Sequence, residues 1–139
     1  IEHKLNTAFT LRGRVEWMKF NRDGVDKEQG PLYYMDVLYK PLMRALAAGI
    51  RLQYFETDSY YSRVYAFEND VLYSYSIPVF YDRGYRYYMN VNYDITRKMT
   101  VWLRWAQTIY TGRLSTGSGP GEIQGNRRSE IRLQWSLFF

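Results

Sequence analysis

The feature that most constrains this chain is the alternation of its last eleven residues. Ile131, Leu133, Trp135, Leu137 and Phe139 fall on one parity, and Glu130, Arg132, Gln134 and Ser136 on the other. A period of two sustained over this length describes an extended strand with one apolar and one polar face. A helix would scatter the same residues around its circumference, so the fold must give such strands neighbours on both edges and a use for two unlike faces.

The pattern recurs along the chain. Residues 5–20 set Leu5, Thr7, Phe9, Leu11, Val15 and Trp17 against Asn6, Thr10, Arg12, Arg14 and Glu16. Residues 32–40 set Tyr33, Met35, Val37 and Tyr39 against Tyr34, Asp36, Leu38 and Lys40, and Pro41 ends that strand because it cannot donate to a ladder. Residues 45–57 oppose Leu46, Ala48, Ile50, Leu52 and Tyr54 to Ala47, Gly49, Arg51 and Gln53. Tyr61–Phe67 reads as a short strand with Arg63 inward, and Val71–Tyr81 as one with Val71, Tyr73, Tyr75, Ile77 and Val79 outward. Residues 85–95 alternate Tyr85, Tyr87, Met89, Val91, Tyr93 and Ile95 with Arg86, Tyr88, Asn90, Asn92 and Asp94. Residues 100–111 place Val101, Leu103, Trp105 and Ile109 against Trp102, Arg104, Ala106 and Thr108, with Gln107 interrupting the apolar side.

With the terminal strand this makes about eight antiparallel strands, close to the ~9–11 residues that cross a bilayer at a tilt. The connections at 41–44, 68–70 and 96–99 are short, and those at 21–31, 80–84 and 112–127 are mostly longer. Short turns at one end and long loops at the other are the layout of outer-membrane barrels, with the C-terminus periplasmic.

At 139 residues the chain is one domain, residues 1–139. It has no cysteine, which removes disulfides, thiolate chemistry and Cys-based zinc sites. No run approaches the ~18 apolar residues of a membrane helix. The negative mean hydropathy leaves a membrane barrel open, because alternation halves the average. The net charge of +5 comes from basic residues spread singly through strands, a poor pattern for nucleic acid. The start at Ile1-Glu2-His3-Lys4 falls mid-pattern, as a mature or truncated chain would.

Alternation alone fits a membrane barrel or a soluble one with its faces exchanged. Aromatic residues near the strand ends, Trp17, Tyr33, Tyr39, Tyr54, Tyr81, Tyr85, Tyr93, Trp105 and Trp135, resemble an interfacial girdle and favour the membrane. So does the mixed-sign polar face of Arg12, Arg14, Glu16, Asp36, Lys40, Arg51, Arg86, Asp94, Arg104, Glu130 and Arg132. In a narrow interior such charges must pair, or each carries a desolvation cost of several kcal/mol.

Catalytic chemistry finds little purchase. The single histidine, His3, precedes the first expected strand, so a Ser–His hydrolase lacks its base. The carboxylates Glu16, Asp36, Asp94 and Glu130 lie among arginines and read as structural ion pairs. Asp23, Asp26 and Glu28 resemble a calcium loop with the wrong spacing. The loop Gly117-Ser118-Gly119-Pro120-Gly121 lacks the Lys-Ser/Thr of a phosphate cradle. No metal or cofactor is expected. An eight-stranded interior is filled by side chains, whereas the same residues in a larger barrel would line a net-positive lumen that favours anions.

Two resemblances bear on this. The amphipathic final strand ending in Phe139 is similar to the terminal strands of bacterial outer-membrane barrels, which barrel assembly machinery recognises. The stretches YAFENDVLYSYSIPVFYDRGYRYYMNVNYDI (65–95), WLRWAQTIY (102–110) and GSGPGEIQGNRRSEIRLQ (117–134) resemble the C-terminal region of large Bacteroidota outer-membrane proteins that contain helix-hairpin-helix modules. LRGRVEW and YKPL are similar more loosely. The resemblance implies an all-β, antiparallel transmembrane barrel in the bacterial outer membrane, either eight strands alone or the C-terminal part of a larger barrel. Its partners would be outer-membrane lipid, the assembly machinery and other envelope proteins. The expected function is a non-enzymatic scaffold or subunit of an envelope complex. The alternative is a pore passing anionic solutes or polymers. A scaffold expects Arg86, Arg104 and Arg132 each paired; passage expects them free and facing water.

Overall fold

Six of the alternating stretches become the long strands of one antiparallel sheet. The computed structural model describes residues 1–22, 26–112, 114–116, 120 and 122–139. Among these residues the strands are β1 (Glu2–Lys4), β2 (Phe9–Arg22), β3 (Asp26–Tyr39), β4 (Leu46–Glu56), β5 (Val64–Tyr65), β6 (Val79–Phe80), β7 (Arg83–Thr96), β8 (Met99–Tyr110), β9 (Ser115–Thr116), β10 (Ile123–Gln124) and β11 (Arg127–Leu137). No helix among them is long and apolar enough to cross a membrane. The main sheet has seven strands in the order β1-β2-β3-β4-β7-β8-β11, and β5–β6 and β9–β10 form separate two-stranded ladders.

The register carries one parity across the whole sheet. Arg12 faces Asp36, Asp36 faces Arg51, Arg51 faces Tyr88, Tyr88 faces Ala106 and Ala106 faces Glu130. One row on, Asn90 faces Arg104 and Arg104 faces Arg132. The charged positions anticipated from alternation in the long strands therefore share one side of the sheet. The opposite side carries rows such as Leu11, Val37, Ile50, Met89, Trp105 and Ile131.

Burial is the reverse of a water-soluble sheet. On the apolar side Val15, Trp17, Met35, Ile50, Leu52, Tyr85, Leu133 and Trp135 are exposed, with Ile131 and Leu133 each at 72%. On the charged side Asp36, Arg51, Gln53, Arg86 and Arg104 are buried. What buries them is the connection from β4 to β7, residues 57–82, which folds back over that side.

This connection is the main departure from the expected layout. Tyr61–Phe67 and Val71–Tyr81 do not become sheet strands; only Val64–Tyr65 and Val79–Phe80 pair, as a short antiparallel hairpin extended by a Glu68–Ser76 bridge. The reasons are local and competitive. Pro78 offers a carbonyl but no N–H, Tyr73 adopts a left-handed backbone (φ 59°), and β4 is paired with β7 from Leu46 to Glu56, its whole length. Glu68-Asn69-Asp70 accordingly is not a tight turn between spanning strands. The sheet is open rather than an eight-stranded barrel: β1 pairs only with β2 and β11 only with β8 among the described residues.

Smaller differences sit at the ends. Residues 5–8 are a turn, closed by Ala8 and Phe9 N–H groups donating to Asn6 Oδ1 at 2.8 and 2.9 Å, and His3 pairs with Leu11 in β1. The expected loop at 21–30 is largely strand, because β2 and β3 continue pairing past the rest of the sheet to Arg22 and Asp26. Short connections (40–45 and 97–98) lie at one end of the sheet, and the long ones (57–82 and 111–126) at the other.

Candidate functional site

The hairpin lies on the sheet through alternate residues. Ser62, Val64, Ala66, Glu68 and Phe80 are buried, while Tyr61, Tyr65, Phe67, Tyr75 and Ile77 point away. At the long-loop end the contact is apolar: Val64, Ala66 and Phe80 pack on Leu32, Phe55 and Tyr110. Phe55 meets Phe80 at 5.0 Å and Tyr110 edge-on at 5.8 Å between ring centroids. Gly30 and Gly84 are required here. A Cβ on Gly30 would stand 2.3 Å from the Ser62 carbonyl, and one on Gly84 2.5 Å from that of Ile109.

Towards the short-turn end the contact becomes ionic. Glu68, with no exposed surface, accepts from Arg86 Nε at 2.7 Å and Nη2 at 2.9 Å, and also from Arg104 Nη2. Asp70 accepts from Arg132 and lies 3.8 Å from Arg104 Nε. Glu130 closes the set, 3.5 Å from Arg86 and 4.0 Å from Arg104. Three arginines thus meet three acids in the interior, and a fourth, the exposed Arg128, lies 3.6 Å from Glu130 at the rim. Such a balance is what permits charges in a dry interior.

A second pair stands beside it. Arg51 donates to both oxygens of Asp36 at 2.5 and 2.8 Å and to the Phe67 carbonyl at 2.6 Å. Its guanidinium lies 3.7 Å from the Tyr34 ring centroid and 5.3 Å from that of Tyr88. The fork geometry serves two carboxylate oxygens at once, and the aromatic faces replace water around the cation. The Asn69 carbonyl accepts from Arg104 Nε at 3.1 Å and from Asn90 Nδ2 at 2.7 Å. The hairpin is therefore held through its backbone as well as its acids.

The remaining inward charges are peripheral. Arg12 pairs with Glu2 at 2.9 Å and Arg14 with Glu16 at 2.7 Å, both near the β1–β2 edge. Asp94 accepts from Thr100 Oγ1 at 2.7 Å, in an exposed position. Lys40 borders a cavity of about 300 Å³ beyond the hairpin turn, together with Gly49, Asn69, Asn90, Asn92 and Trp102. Arg63 does not point to the sheet. It lies over the Tyr60 ring and donates to the Tyr65 hydroxyl at 2.8 Å, a bond that pushes its pKa above the ordinary arginine value.

Of the aromatic set, Tyr33, Tyr54 and Tyr85 form a continuous outward row, with centroids 6.4 and 5.2 Å apart, near Trp17. At the other end Tyr39 packs on Phe9 at 4.8 Å, and Tyr93 and Trp135 both face Val101 across the ladders. Two members are misplaced by the sequence pattern. Trp105 is mid-strand against Tyr87, and Tyr81 lies outside the strands, packed on Tyr60 and Tyr110. Gln107, the interruption on the apolar side, is satisfied there by Tyr87 and by Ser129 Oγ at 2.8 Å. Ile131, Leu133, Trp135 and Leu137 stand exposed along β11, with Phe139 beyond it.

Glu68 and Asp70 are the functional residues that alternation did not reveal as inward. Chemically, each buried carboxylate is committed to arginine, which suits cross-linking better than proton transfer. No group of three or more His, Cys, Asp or Glu placed to hold a metal occurs among the described residues. Asp23, the Asp26 side chain and most of the 117–121 loop lie outside the described residues, while Glu28 accepts from Ser59 Oγ at 2.5 Å. No family model, curated protein or solved structure matches the chain.

Proposed function

We propose that this chain forms part of the wall of a transmembrane β-barrel in a bacterial outer membrane and acts there as a non-enzymatic scaffold. One observation carries the reading: the sheet buries its charged face and exposes its apolar one. In water the exposed face would be costly, since each Val, Leu, Ile or Phe side chain is worth roughly 1.5–3 kcal/mol when taken out of water. Patches larger than a few hundred Å² are uncommon on soluble monomers. Against acyl chains the same face is at rest, and its tyrosine row matches an interfacial belt.

The open edges support a barrel completed by strands other than those among residues 1–139, because unpaired backbone groups are not tolerated in hydrocarbon. The paired state of Arg86, Arg104 and Arg132 favours the scaffold over anion passage, for a guanidinium already committed to an acid attracts little. A gel of native protein drawn from membranes tests the reading. Extraction that requires detergent, and a mobility shift on boiling, are expected. Recovery in the aqueous fraction without detergent would replace the proposal with a soluble barrel. The apparent mass, set against the 16.7 kDa of these residues, reports whether further strands are present.

A further inference from the structure

The hairpin covers the charged side of the sheet only as far as its turn. Beyond residues 69–74, towards the 40–45 connection, a cavity of about 300 Å³ remains between that turn and the sheet. The inward positions of β4 explain the room. They run Phe55, Gln53, Arg51 and then Gly49 and Ala47, so side-chain bulk falls away at this end. Leu38 leans across Gly49, whose Cβ would stand 3.1 Å from Leu38 Cδ2, and Ala47 adjoins the open space.

The groups around this space form a definite set. Asn92 faces Ala47 in the ladder, and Trp102 faces Asn92. Ser74 and Asn69 border the cavity from the hairpin. Asn90 is tied through Nδ2 to the Asn69 carbonyl, while its enclosed Oδ1 has no donor among the described residues. Lys40 stands at the rim, exposed, and makes no ion pair with a described residue. Asp70 also borders the cavity, but its side chain has no exposed surface and is committed to Arg132.

We infer that this cavity binds an acidic sugar, a single saccharide ring that carries one carboxylate. Each property of the ligand answers to a group on the wall. Lys40 is one compact point charge, which suits a monoanion. The described lining has no accessible carboxylate to receive an ammonium, so an amino acid or amine fits poorly. Asn92, Asn69 and Ser74 supply amide and hydroxyl groups that both donate and accept, as sugar hydroxyls require. Trp102 supplies aromatic surface for the C–H side of a ring. The volume lies at the low end of the roughly 300–1,000 Å³ of ligand pockets, so one ring fits and a chain does not. The site is built within one chain, so the inference goes beyond the scaffold reading and does not depend on it.

Isothermal titration of the purified protein, in detergent or in buffer as its extraction dictates, uses D-glucuronate, D-glucose and acetate as probes. D-glucuronate is expected to bind saturably at one site per chain. D-glucose has the ring without the charge, and acetate the charge without the ring. Each is expected to bind about tenfold more weakly or worse, the loss that one charged hydrogen bond or its equivalent brings. Lys40→Gln is expected to weaken D-glucuronate by a similar factor with an unchanged circular-dichroism spectrum, since Lys40 is exposed and holds no partner in place. Ala47→Leu, which fills the cavity, should abolish binding. The inference is overturned by the absence of saturable D-glucuronate binding, by acetate matching D-glucuronate, by Lys40→Gln without effect, or by an Ala47→Leu protein that still binds.

Discussion

At the scale of single residues the molecule turns on Glu68. It has no exposed surface and bridges two arginines, so Glu68→Gln leaves Arg86 and Arg104 buried with a partner that carries no charge. Breaking a buried pair in this way costs about 3–5 kcal/mol, read as a lower denaturant midpoint for the detergent-extracted protein. Arg12→Gln, which breaks the exposed pair with Glu2, is expected to cost under about 1 kcal/mol in the same measurement. The need for such acids was legible. Along the long strands the interior face anticipated from alternation held seven basic residues (Arg12, Arg14, Lys40, Arg51, Arg86, Arg104, Arg132) and four acids (Glu16, Asp36, Asp94, Glu130), a surplus that a dry interior must neutralise. Which acids would arrive was not legible. Glu68-Asn69-Asp70 has the composition of a turn, and only tertiary contact with three arginines makes it a buried hub.

At the scale of elements, period two located β2, β3, β4, β7, β8 and β11 and assigned their faces, because each strand has one face for charges and one for apolar side chains. The same rule misled at 61–81, where residues alternate in just the same way. There the alternation serves a hairpin between the sheet and its other surroundings, and backbone competition decides the outcome: β7 takes the edge of β4. Docking of that hairpin depends on its closest approach. Gly30→Ala forces a Cβ against the Ser62 carbonyl, so the substituted protein is expected to be cut by protease within 57–82 while the wild type resists. Gly13→Ala, whose Cβ would meet nothing nearer than 3.9 Å, should leave the digestion pattern unchanged.

At the scale of the whole molecule, the exposed side of the sheet sets the solvent it requires. Leu133→Arg places a cation on that side, and in a bilayer this costs about 2–4 kcal/mol at the midplane and less near the surfaces. The expected result is a smaller heat-modifiable fraction on refolding into lipid; an unchanged fraction would argue that β11 meets water. The link between Asp70 and Arg132 spans 62 residues and joins the hairpin to the last strand. A slip of β11 by one residue along β8 would swing Arg132 towards the apolar side and present Ile131 to a fully buried carboxylate. Among the alignments of the final strand on β8, the observed one thus brings Arg132 to its acid, so the ion pair distinguishes the native register from its one-residue neighbours.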